Sequence, residues 1–141
     1  MRQLLDHHFP ASTAQLEPVR VQVRNALMGY GCDHEFVETS VLAVDEAISN
    51  VVRHAYAGGE GDVQLRIQVR DGELIFLVRD HAPPFDPGAT PPGKPGELRA
   101  GGYGRFLMQE LMDSVRYAAP DDGTGNLLEM RRRLQPAGHD Q

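Results

Sequence analysis

One cysteine, Cys32, stands in 141 residues, so the chain cannot form an intramolecular disulfide. A thiol left reduced fits the cytoplasm, and Cys32 itself reads as a small turn residue. Long apolar runs are missing too. Nothing approaches the roughly 18 residues of a membrane span, and the first nine residues hold no signal-peptide core. We expect a cytoplasmic protein with no membrane partner. Basic charge is scarce, 14 Lys and Arg against 20 Asp and Glu, and the net charge of −6 argues against an electrostatic grip on nucleic acid. The run Arg131-Arg132-Arg133 is too short to change that and reads as solvated strand residues. The histidines at 7, 8, 34, 81 and 139 form no metal motif, and no segment repeats. The length suits one domain, 1–141, whose partners are expected among proteins and small molecules.

Within that length, residues 4–9 read as a short edge strand ended by Pro10. Ser12 or Thr13 is a plausible cap for a helix in which Leu16, Val19, Val23, Ala26, Leu27 and Tyr30 recur at helical spacing, stopped by Gly29 and Gly31. Asp33 caps a second helix, expected to run from about 35 to the glycines at 58 and 59, with Val41, Val44, Ala47, Ile48, Val51 and Val52 as its buried stripe. Strict alternation at 63–69, the turn dipeptide Asp71-Gly72 and a return at 73–78 predict a β-hairpin. Residues 82–102, rich in proline and glycine, are a long loop suited to a lid. A short helix over 105–112 and two strands at 115–119 and 127–134 follow, and 135–141 is a polar tail. The order β, α, α, β, β, α, β, β predicts an α+β fold with about three helices on one face of a largely antiparallel mixed sheet.

Three features invite a chemical account. Glu46, Asn50 and His54 stand four apart, along one edge of the second helix. Taken alone, that row reads first as a solvated face. Asp80 ends a strand just before the long loop, where it is either a turn residue or a buried acceptor for the exocyclic amine of a base. Gly101, Gly102 and Gly104 open a helix, whose N-terminus favours phosphate, although such glycines also serve ordinary loop closure. Together they suit a nucleoside triphosphate. Asn50 offers an oxygen to Mg2+, and Glu46 can orient or deprotonate an attacking hydroxyl.

The segments Glu46-Ala-Ile-Ser-Asn50-Val-Val-Arg-His54-Ala-Tyr56, Val78-Arg-Asp80-His-Ala82-Pro-Pro-Phe85-Asp86-Pro87 and Gly101-Gly102-Tyr103-Gly104-Arg105-Phe-Leu107 resemble the N, G1 and G2 boxes of the GHKL (Bergerat-fold) ATPases. Within these, the chain most resembles anti-sigma factor serine-protein kinases of the RsbW and SpoIIAB type. The resemblance covers nearly the whole chain, in order. It implies a two-layer α/β sandwich that holds ATP and Mg2+ under a lid. Asn50 would be the metal ligand, Asp80 the partner of the adenine amine, and the backbone of Gly102 and Gly104 the phosphate cradle. Glu46 would be the base that phosphorylates a serine of a STAS-type anti-sigma antagonist. His54, Ala82, Phe85, Gly101, Tyr103 and Arg105 fall in the same boxes and are expected to line the nucleotide. The resemblance also implies a homodimer that sequesters a sigma factor.

Two positions depart from the family pattern. Ala82 stands where the G1 box carries glycine, and Glu129 is read as replacing a threonine of the last strand near the aspartate. Both favour an alternative reading, a non-catalytic nucleotide-binding module that switches partners by sequestration only. A histidine-kinase-like unit of a phosphorelay is the third reading, ranked last because no dimerisation helix with an acceptor histidine precedes these boxes.

Overall fold

The computed structural model describes residues 1–56, 60–83, 102–118, 120 and 122–134, without the side chains of 54, 55, 102 and 103. Its elements are β1 (Arg2–Pro10), α1 (Leu16–Tyr30), α2 (His34–Asn50), β2 (Asp62–Arg70), β3 (Glu73–Asp80), α3 (Gly102–Leu111), β4 (Ser114–Ala118) and β5 (Asn126–Arg133). A 3-10 turn, Thr13–Gln15, leads into α1, and a π-helical turn, Val51–Ala55, extends α2. The five strands lie in the order β1-β2-β3-β5-β4, and every pairing among them is antiparallel, with no parallel member of the kind a mixed sheet would need. This is an α+β fold, a two-layer sandwich of three helices on one sheet.

Alternation decides which sheet face meets the helices. Val63, Leu65 and Ile67 of β2, Leu74, Phe76 and Val78 of β3, and Leu128 and Met130 of β5 share one face and are buried against Val23 and Leu27 of α1, Val37, Val44 and Ile48 of α2, and Met108 of α3. The hairpin forms as expected. Asp71 (φ 53°) and Gly72 (φ 79°) both take positive φ, the geometry that matches a two-residue turn to the twist of its strands. Asp33 caps α2 by accepting from Phe36 N at 2.9 Å. Ser12 caps the 3-10 turn rather than α1, and Gly31 alone ends α1, Gly29 lying inside it. The helix expected over 105–112 begins earlier, so Gly102 and Gly104 belong to its first turn.

The expectation for the arginine run is corrected at Arg132. Register places Arg132 on the helix face of β5, where it is less exposed than Arg133. Its Nη1 lies 3.0 Å from Phe36 O, 2.7 Å from Thr39 Oγ1 and 2.8 Å from Ser40 Oγ, and its guanidinium stacks 4.0 Å from the Phe36 ring centroid. Burial lowers its pKa from the ordinary arginine value. Arg132 thus clamps the first turn of α2 to the sheet. Arg132→Met should destabilise the protein by about 2–4 kcal/mol, the loss of charged hydrogen bonds and a cation–π contact, read by urea denaturation.

Candidate functional site

α2 is buried along Val37, Val41, Val44 and Ile48, and this fixes where its polar residues point. Asp45 turns to α1, where its Oδ1 accepts from Arg20 Nε at 2.8 Å. Ser49 is buried. Glu46 and Asn50, one turn apart and half-buried, face α3. The contact with α3 is made at Gly104: a Cβ built there would sit 2.5 Å from Glu46 Oε1 and 3.7 Å from Asn50 Oδ1. Only glycine lets the α3 backbone come this close to the two polar side chains.

Glu46 has no hydrogen-bond partner among the described residues. Burial raises its pKa above the ordinary 4.5, while Arg53 acts to lower it and Asp45 to raise it further. A half-buried carboxylate of that kind is suited to accept a proton. Asn50 presents its Oδ1 outward, where it accepts from Arg53 Nη2 at 2.9 Å. An oxygen already serving a cation on the exposed side of a helix end suits a hard metal ion, although Arg53 would have to yield its bond. Gly104→Ala should cost little stability, because the clash is with the end of a flexible side chain. It should displace the Glu46 carboxylate and lower any transfer activity about tenfold or more, read as kcat at unchanged melting temperature.

The second cluster lies at the end of β3. Asp80 is 5% exposed, and its Oδ1 accepts from Asn126 Nδ2 at 2.8 Å and from Ala82 N at 3.0 Å. Both donors fall on one oxygen, and Oδ2 accepts nothing from the described residues. A buried carboxylate with one oxygen so fixed can offer the other to a donor such as an exocyclic amine. Ala82 is buried and has no positive φ, so its backbone conformation does not call for glycine.

Register also corrects the reading of Glu129. Asn126, not Glu129, stands opposite Asp80; Glu129 stands opposite Leu77, on the sheet face away from the helices. There it accepts from Arg116 Nε at 2.8 Å and Arg131 Nε at 3.0 Å, and these partners, Arg116 first, lower its pKa despite its burial. It therefore has no part in either cluster.

The remaining expected residues are not all assembled. His54 lies in the π-helical turn, where the wider winding ends the four-residue row after Asn50, and its side chain lies outside the described residues, as do Phe85 and Gly101. Gly102 and Tyr103 contribute backbone to the first turn of α3, and nothing is described of the Tyr103 side chain. Arg105 points elsewhere than Gly104, into a cleft of about 240 Å³ between α3 and β4 that it shares with Met108, Gln109, Val115, Arg116 and Tyr117. The lid expected over 82–102 and the tail over 135–141 fall almost wholly outside the described residues. Asn126 was missed because β5 was expected to start at 127 and because the pairing that sets it across from Asp80 is not marked in the sequence.

A carboxylate and a carboxamide of α2 thus meet a glycine of α3, and a buried aspartate ends β3. Residues 9–132 match the family model described as histidine kinase-like ATPase domain, and the chain belongs to that family. Within it the chain is an RsbW-type serine-protein kinase by descent. It is 31% identical over 121 residues to serine-protein kinase RsbW of Staphylococcus epidermidis, covering 79% of this chain and 76% of that protein. The RsbW of Bacillus subtilis strain 168 matches at the same identity and coverage. Among solved structures, the RsbU and RsbW domains of a Mycobacterium tuberculosis protein superpose with a TM-score of 0.66 at 22% identity, over 94% of this chain and 33% of that one. The histidine kinase domain of a blue-light activated histidine kinase from Erythrobacter litoralis gives 0.54 at 22% identity, over 86% of this chain and 60% of that one. These two likenesses bear on the fold alone. No helix among the described residues is long and apolar enough to cross a membrane.

Proposed function

We propose that this protein transfers the γ-phosphoryl group of ATP to a serine of a partner protein, and that the two clusters form one nucleotide site. The observation that carries the reading is the meeting of Glu46 and Asn50 with Gly104. Asp80 receives the adenine amine at Oδ2, and the first turn of α3 receives phosphate at its backbone N–H groups. Asn50 would hold Mg2+, which when bound neutralises charge on the phosphates. Glu46 accepts the proton of the serine hydroxyl as it attacks, and burial, by raising its pKa, makes it a stronger base than a solvated carboxylate.

In this reading the protein acts as a homodimer in the cytoplasm. It phosphorylates a STAS-type antagonist and sequesters a sigma factor; the relatives' name supports the serine phosphorylation, and the family resemblance supports the partners. The whole of 1–141 is one such domain, with 82–102 as its lid. The test is incubation of the protein with γ-labelled ATP, Mg2+ and a STAS-type antagonist. Label on an antagonist serine, lost when that serine is replaced by alanine, supports the reading. ATP binding without label transfer would instead favour the sequestration module, a second reading that the Arg53 bond to Asn50 keeps in play, since it occupies the proposed metal ligand.

A further inference from the structure

The two clusters sit on different elements, and one side chain joins them. Tyr56 directly follows the π-helical turn that extends the Asn50 helix. Its hydroxyl donates to Asp62 O at 2.7 Å and accepts from His81 N at 2.8 Å. Asp62 begins β2 and His81 immediately follows Asp80, so the phenol bridges the open end of the β2–β3 ladder just past its last pair, Val63 with Asp80. His81 N–H has no strand partner there, and the hydroxyl supplies one while donating its own hydrogen bond to the neighbouring strand.

The seat of the ring is equally specific. A Cβ built at Gly61 would collide with the Tyr56 ring, and Gly61 is held in place by its carbonyl, which accepts from Ala11 N at 2.8 Å. The sequence therefore keeps a side-chain-free residue where the ring lies, and the backbone of that residue is tied to the end of β1. From His81 the constraint runs on within two residues. Ala82 N donates to Asp80 Oδ1 at 3.0 Å, so the direction of the Asp80 carboxylate depends on where the 81–82 backbone lies.

We propose that Tyr56 is a positioning residue for base recognition: its hydroxyl fixes the backbone that aims Asp80, and Gly61 provides the space for its ring. The proposal rests on the nucleotide site described above. In this role Tyr56 acts on the base through Asp80. It determines how well a purine with a 6-amino group is told from one with a 6-oxo group, because that discrimination depends on the carboxylate being held still.

The test compares wild type, Tyr56→Phe and Gly61→Ala for ATP affinity by calorimetry, for displacement of ATP by GTP, and for melting temperature. Tyr56→Phe keeps the ring and deletes both hydrogen bonds. It should weaken ATP binding about five- to tenfold and reduce the preference for ATP over GTP by a similar factor, since the affinity lost is that of an oriented hydrogen bond. Gly61→Ala should do the same by expelling the ring. An unchanged ATP-to-GTP ratio in Tyr56→Phe overturns the proposal, whether ATP affinity is kept or both nucleotides weaken together with the melting temperature, which is the mark of a purely structural residue. Failure of wild type to bind ATP would instead remove the nucleotide site on which the proposal stands.

Discussion

Glu46→Gln should lower phosphoryl transfer to the partner serine by about 10²–10⁴-fold while leaving ATP affinity within about twofold, the signature of a lost general base rather than a lost binding contact. Glutamine keeps the shape that fits beside Gly104 but cannot take a proton. The same substitution should make the protein more stable at neutral and alkaline pH. Burial holds the folded Glu46 pKa above its ordinary 4.5, so the folded chain binds a proton that the unfolded chain has already lost. Stability therefore falls as pH rises from the unfolded value through the raised folded one, and the loss is complete above the latter. Glu46→Gln removes that loss: its melting temperature should exceed wild type at pH 8 and converge with it below pH 4. In wild type the acid limb of the kcat profile should lie above 4.5, because transfer needs the ionised carboxylate. A matched stability gain and activity loss at one position would mark a group held in an unfavourable environment for its chemistry.

Asp80→Asn should weaken ATP binding about 10–100-fold, the worth of a hydrogen bond to a charged group in a buried site. Calorimetry on folded protein reads it directly. The variant is expected to fold, because an asparagine carbonyl at 80 can still accept from Asn126 Nδ2 and Ala82 N, the two donors that now meet on Oδ1. What it loses is the second acceptor, since the amide nitrogen presents a donor where a base amine would also donate. The effect should concentrate on adenine nucleotides, whereas Asn50→Ala should weaken binding only when Mg2+ is present.

Much of this was legible before any coordinates. The hairpin at Asp71-Gly72, the α2 stripe and the α+β class follow from periodicity and turn chemistry, which are local properties. The spacing of Glu46 and Asn50 was legible for the same reason. Other features depended on register, packing and local winding, which sequence periodicity leaves open. Arg132 looks like its neighbours in the arginine run until strand pairing assigns it to the helix face. Asn126 and Glu129 exchange significance with a shift in where β5 begins. The π-helical turn after Asn50 has no sequence mark that separates it from α-helix, so His54 was extrapolated onto a row that ends one turn earlier. Tyr56 sat within a recognisable motif without a role, because its partners are backbone atoms of Asp62 and His81.

The central claim is that the Glu46–Asn50–Gly104 cluster and the Asp80–Asn126 cluster belong to one nucleotide site. Amide NMR spectra recorded through a titration with ATP and Mg2+, followed by trace Mn2+, test it most directly. The account predicts that Ala82 and Asn126 amides shift on ATP addition, that the same titration shifts Gly104, and that Mn2+ then broadens Asn50 and Gly104 more strongly than Asn126. Shifts confined to one cluster, or broadening centred away from Asn50, would contradict it.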